Sequence, residues 1–169
     1  IRDMLLERAE ERSVFLKDMS YYVMPHILED AAFRDRLTHA FLIRDPRAAI
    51  LSYWKLDPDM SCEEIGIEAQ WRHFEGLQAH GISPVVIRSE EVRRAPEAVM
   101  RAFWEAVGLP YRDEAFDWSR EIPKDWEQVE GWHGKVTAST GIRPITDAEI
   151  AKQARGFEDA CQQTPRLRE

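Results

Sequence analysis

The sequence predicts an α/β domain with a parallel sheet flanked by helices in three layers. Three short apolar runs carry that prediction: Val14-Phe15-Leu16, Ala40-Phe41-Leu42-Ile43 and Pro84-Val85-Val86-Ile87. Each stops at charge, at Lys17-Asp18, Arg44-Asp45 and Arg88 respectively. Strands covered on both faces read as short continuous apolar runs, and helical spacing between them is the alternation that builds parallel sheets. Ligands of such sheets sit beyond the carboxyl ends of the strands. That rule alone selects Lys17-Asp18, Arg44-Asp45 and Arg88-Ser89-Glu90 as places to look for chemistry.

Each element has a local reason. Ile1, Met4 and Leu5 lie on one side of an amphipathic helix that runs to Arg12. The Val14–Leu16 strand follows, then a helix over Met19 to Glu29. After the Ala40–Ile43 strand, Asp45 can cap a helix and Pro46 suits its first position, giving a helix to about Lys55. Ser61-Cys62-Glu63-Glu64 forms a capping box, and Ile67, Trp71 and Phe74 continue as an apolar stripe until Gly81 ends the helix. Beyond the third strand, Pro96 opens a helix through Val99, Phe103 and Val107 that closes at Gly108. Residues 111–144 show no clear period and are expected to be irregular. Thr146-Asp147-Ala148-Glu149 is a second capping box, leading a last helix whose Ile150, Ala154, Phe157 and Cys161 share one face.

Composition bounds the function. A chain of 169 residues and 19.7 kDa buries roughly 70% of its unfolded surface, enough for one core, so a single domain over 1–169 is expected. Hydrophobic residues make up 44% and charged residues 32%, which excludes disordered and fibrous classes. Net charge is −8 with a pI near 5.2, so broad binding of nucleic acid or anionic membrane is not expected, and any anion must be held by a local cluster. The two cysteines, Cys62 and Cys161, form no metal-binding spacing, so no metal is implied and a reducing, cytoplasmic setting is expected. The chain begins at Ile1, with no targeting segment visible.

Arg44 stands where a strand delivers a guanidinium to a helix start, a position that favours anions. Ala48, Ser52 and Lys55 follow on one face of that helix. A phosphate lying across it could meet the Arg44 guanidinium and the Ser52 hydroxyl; the alternative is a local ion pair and cap between Arg44 and Asp45. Glu90-Glu91 is most simply a helix-start charge. His26 reads as a partly buried helix histidine beside Pro25.

Arg44-Asp45-Pro46-Arg47 with Ser52 eight residues after Arg44, following an apolar strand, resembles the 3′-phosphate-binding segment of the sulfotransferase family. Val85–Val92 with Pro96-Glu97-Ala98-Val99 and Gly108-Leu109-Pro110-Tyr111, and Phe15-Leu16-Lys17-Asp18-Met19, resemble further segments of that family in the same order. The resemblance implies a P-loop-type sulfotransferase fold, truncated before its phosphosulfate-binding loop, and inactive as a fragment. It implies transfer of a sulfuryl group from 3′-phosphoadenosine 5′-phosphosulfate to a hydroxyl or amine of a small-molecule acceptor. Arg44 and Ser52 would hold the 3′-phosphate, supported by Lys135 in the Trp132-His133-Gly134-Lys135 stretch, and Lys17 would sit by the sulfuryl group. Met19 stands where many relatives place a histidine base, leaving Asp18 or His26 for that role. Two other readings stay open: a non-catalytic nucleotide-binding or interaction module of the same fold, and a P-loop small-molecule kinase using Mg²⁺.

Overall fold

In the computed structural model, residues 1–118 and 139–168 are described. The chain divides into two compact units, Ile1–Phe41 with Ser61–Pro84, and Leu42–Met60 with Val85–Glu169.

The first unit is helical. Helix α1 (Arg2–Glu11) carries no buried residue and is tied by ion pairs, Arg2 to Asp30 at 2.5 Å and Glu10 to Arg36 at 2.7 Å. Helix α2 (Ser20–Glu29) contains Pro25, and Asp30 then caps the short α3 (Ala31–Arg34) by accepting the Phe33 amide. After the capping box of α5 (Cys62–Ile65), Gly66 adopts φ +75° and starts α6 (Ile67–Ala79) in a new direction. A left-handed residue ends one helix cheaply only when it lacks a Cβ, so the single helix expected beyond Ser61 is two helices. Helix α6 packs on α2, closely at Gly76, where an added Cβ would meet Leu28 Cδ1 at 2.5 Å.

The Val14–Leu16 strand is not formed. Residues 13–19 lack regular structure, and Phe15 is 79% exposed. A strand exists only by pairing, and no described residue pairs with this run; the sheet of the described residues has two strands.

Those strands are β1 (Ala40–Ile43) and β2 (Val85–Arg88), which run parallel. In the second unit β1 leads into α4 (Pro46–Trp54), capped by Asp45 with Pro46 in its first turn, as expected. Strand β2 runs directly into α7 (Ser89–Arg94), then α8 (Pro96–Ala106). The capping box at Thr146 forms, and α9 (Asp147–Gln163) packs along α4, with Gly156 placed so that a Cβ would lie 3.1 Å from Leu51. Phe157, Ala160 and Cys161 of α9 join Ala48 and Leu51 in the core. Arg93 fastens the approach to α9: its guanidinium donates to the carbonyls of Arg143 and Pro144 at 2.9 and 3.0 Å, and its own carbonyl accepts the Ile145 amide. No helix among the described residues is long and apolar enough to cross a membrane.

Candidate functional site

Within the second unit, the carboxyl ends of β1 and β2 and one face of α9 enclose an open cleft of about 480 Å³, solvent at its mouth included. Its walls combine Asp45, Arg47 and Ala48 from the start of α4, Arg88 and Glu90 from the β2–α7 junction, Arg94 at the end of α7, and Ile150, Gln153 and Ala154 of α9. Two of the three strand ends selected from sequence thus converge, and two residues expected to face the core, Ile150 and Ala154, form its apolar wall.

The charges differ in how they are engaged. Arg47 binds Asp45 through both guanidinium and backbone amide, at 2.8 and 2.9 Å. The Arg47 guanidinium, then its amide, hold the Asp45 carboxyl below the usual carboxylate range against the opposing effect of desolvation. Arg94 is shared between Glu91 at 3.2 Å and Asp147 at 2.6 Å. Arg88 is exposed and makes no ion pair with a described residue. Of the three cleft guanidiniums it alone has no carboxylate partner among the described residues.

Glu90 is 7% exposed. Its Oε1 accepts the Asp45 amide at 3.1 Å, tying the two strand ends together, while its buried Oε2 has no hydrogen-bond partner. The helix-start role expected of Glu90 is therefore incomplete: the side chain turns inward to a backbone 45 residues away. No local pattern announces that, because the partner is set by strand pairing.

The residues expected to form a phosphate site are not assembled as expected. Arg44 is not a wall of the cleft. Desolvation pulls its pKa below the ordinary arginine value, opposed by nearby Glu90, yet it forms no ion pair with a described carboxylate. Ser52 is exposed on α4 and shares no hydrogen bond with Arg44. Lys17 and Asp18 belong to the first unit, where Asp18 accepts the Met19 amide at 2.7 Å. His26 is exposed rather than partly buried. Lys135, with Trp132, lies outside the described residues.

His73 was not singled out in the sequence. It is buried on α6, with Nδ1 3.3 Å from the Ser20 hydroxyl, its ring 5.3 Å from Phe41, and Nε2 unpartnered. Burial, reinforced by His39, lowers its pKa to about 4.

Comparison with known proteins overturns the sulfotransferase resemblance. No protein-family model matches the chain, and no solved structure matches it significantly. The chain is similar to branched-chain-amino-acid aminotransferase-like protein 2 of Arabidopsis thaliana, 29% identical over 105 residues, and to branched-chain-amino-acid aminotransferase-like protein 1 of the same plant, 30% identical over 105 residues. Each match covers 62% of this chain and 19% of the relative, so the chain spans about a fifth of the length of these curated proteins. Neither name speaks of sulfuryl transfer. The sulfotransferase activity and the 3′-phosphoadenosine 5′-phosphosulfate co-substrate are corrected on that ground. The physical reason for the misreading is that a strand-end Arg-Asp-Pro with a downstream serine is also an ordinary strand-to-capped-helix junction, which is how Asp45 and Pro46 are used here.

Proposed function

We propose that the chain is a small-molecule-binding α/β module of an aminotransferase-like protein, and that its cleft holds the anionic group of that ligand. The observation that carries this is Arg88, a guanidinium at the end of β2 whose charge no described carboxylate neutralises, set in a cleft where Arg47 and Arg94 are already paired. An arginine fork is suited to a planar carboxylate or a phosphate. The parallel pairing of β1 and β2, a helix after each, and the position of the cleft beyond their carboxyl ends support the wider reading of a helix-flanked parallel sheet. Free Cys62 and Cys161 suit a reducing, cytoplasmic setting.

Amino-group transfer itself needs a lysine amine that forms a Schiff base with a cofactor carbonyl, in a site that depresses its pKa by burial or neighbouring charge. The lysines among the described residues, Lys17, Lys55 and Lys152, are all exposed and none lines the cleft. The described residues do not fit such a group, and the reading is of a binding module rather than a transfer centre.

Titration calorimetry with inorganic phosphate and with acetate tests the proposal. Arg88→Ala is expected to weaken binding of the preferred anion at least tenfold, while Arg72→Ala, removing an exposed arginine paired with Glu68 in the first unit, leaves it unchanged. Equal loss in both variants, or no anion binding by the wild-type chain, refutes it.

A further inference from the structure

Between α1 and α2 the first unit carries an apolar run that its own fold leaves unused. The chain leaves α1 at Arg12 with φ −160° and ψ 160° and enters α2 through Met19 with φ −94° and ψ 131°, so both flanks are extended. Val14, Phe15 and Leu16 lie between them, all three exposed. No amide or carbonyl of residues 13–18 hydrogen-bonds to a described residue, and Asp18 commits one carboxylate oxygen to the Met19 amide. Arg12 and Lys17 make no ion pair with a described residue. An exposed apolar run with open backbone donors and acceptors is a template for another strand.

We propose that the strand it takes is the same run of a second copy of the chain, paired antiparallel about a two-fold axis at Phe15. The residue order specifies that register. In it Phe15 lies across from Phe15 of the second copy, Val14 from Leu16, Ser13 from Lys17 and Arg12 from Asp18. Apolar residues then meet only apolar ones, and symmetry gives an opposite-charge pair at each end of the ribbon. A shift of one residue in one direction sets Arg12 against Lys17, and in the other sets Val14 against Lys17, so both neighbouring registers lose this complementarity. By the alternation of a strand, Val14, Leu16, Arg12 and Asp18 share one face of the ribbon, and Phe15 takes the other. Exposed Met19 and Tyr22 continue the apolar surface into α2. A two-stranded ribbon is marginal by itself, so the association is reversible and concentration-dependent. It involves the first unit alone and is independent of the anion site.

Sedimentation equilibrium of the full chain over a concentration series tests the pairing. The wild-type chain is expected to populate monomer and dimer. Phe15→Asp brings two carboxylates together on the axis and should weaken dimerisation by about tenfold or more. Arg12→Glu sets carboxylates against carboxylates, and Asp18→Lys sets cations against cations, each twice by symmetry. Either variant alone should dimerise about tenfold more weakly than wild type, whereas a mixture of the two should recover the wild-type affinity, because every charged pair is again of opposite sign. Circular dichroism checks that each variant is folded. If Asp18→Lys fails to fold for want of the Met19 contact, the comparison of wild type with Phe15→Asp and Arg12→Glu still decides. A wild-type chain that stays monomeric, a dimer that Phe15→Asp leaves intact, or a mixture no tighter than the separate variants overturns the proposal.

Discussion

At Glu90 a single side chain joins two strand ends that the sequence separates by 45 residues, since its Oε1 accepts the Asp45 amide at the entrance to α4. Removing that acceptor leaves a part-buried donor unpaired, and such a loss costs about 1–3 kcal/mol. Glu90→Ala is therefore expected to lower the free energy of unfolding in urea by that amount. Glu90→Gln, which can still accept through its amide oxygen, should fall within about 1 kcal/mol of wild type. Equal stability of all three proteins would show that the Asp45 amide finds another partner.

Among the elements, the break between α5 and α6 depends on one residue. Gly66 sits at φ +75°, and a Cβ there would lie 2.9 Å from the Tyr21 ring, so both backbone and packing oppose a side chain. Gly66→Ala is expected to destabilise the first unit by about 1–3 kcal/mol, read by chemical denaturation. A helix running unbroken from Cys62, seen as a gain in helical circular dichroism without loss of stability, is the contrary result. At the start of α9 the Thr146 hydroxyl accepts the Glu149 amide at 3.2 Å while the Glu149 carboxylate accepts the Thr146 amide at 3.0 Å. Thr146→Ala should cost about 1 kcal/mol, and Thr146→Ser should restore most of it. By donating to that carboxylate, the Thr146 backbone amide is the first cause that keeps the Glu149 pKa below the usual carboxylate range.

For the molecule as a whole, His73 sets a pH limit. Its pKa is lowered to about 4 in the folded chain from an ordinary 6.5, by burial first and by the nearby His39 second. Unfolding lets the imidazole take up a proton between those two values, so below pH 6.5 the unfolded state binds more protons. Stability is complete above about pH 6.5 and declines as pH falls toward 4. The loss attributable to this group is about 3 kcal/mol. His73→Leu should flatten the stability profile between pH 6.5 and 4.5, at the expense of the Ser20 contact. An unchanged profile would place the titration elsewhere. Because the charge of the chain is already −8 near neutrality, carboxylate protonation acts at the lower edge of the same window, and the variant comparison isolates the histidine.

The features legible along the chain are local. Helix starts at Asp45-Pro46, Ser61 and Thr146, stops at Gly81 and Gly108, and the two paired strands follow from capping chemistry, glycine and apolar runs that need only a few neighbouring residues. The strand-end rule likewise placed Asp45, Arg88 and Glu90 where the cleft lies. Tertiary structure decided the rest. Val14–Leu16 has the composition of a strand but no partner strand among the described residues, and Phe15 stands 79% exposed. On α6 the expected stripe of Ile67, Trp71 and Phe74 gives way to one led by His73 and Leu77, leaving Trp71 58% exposed, because the packing of α2 chooses the buried face. Arg44 and Ser52 share a motif but no contact, whereas Arg88 and Glu90 share a cleft with α9, which lies some sixty residues downstream. Periodicity and capping act over one or two turns; which charges are neutralised and which are left open depends on neighbours that only the folded chain supplies.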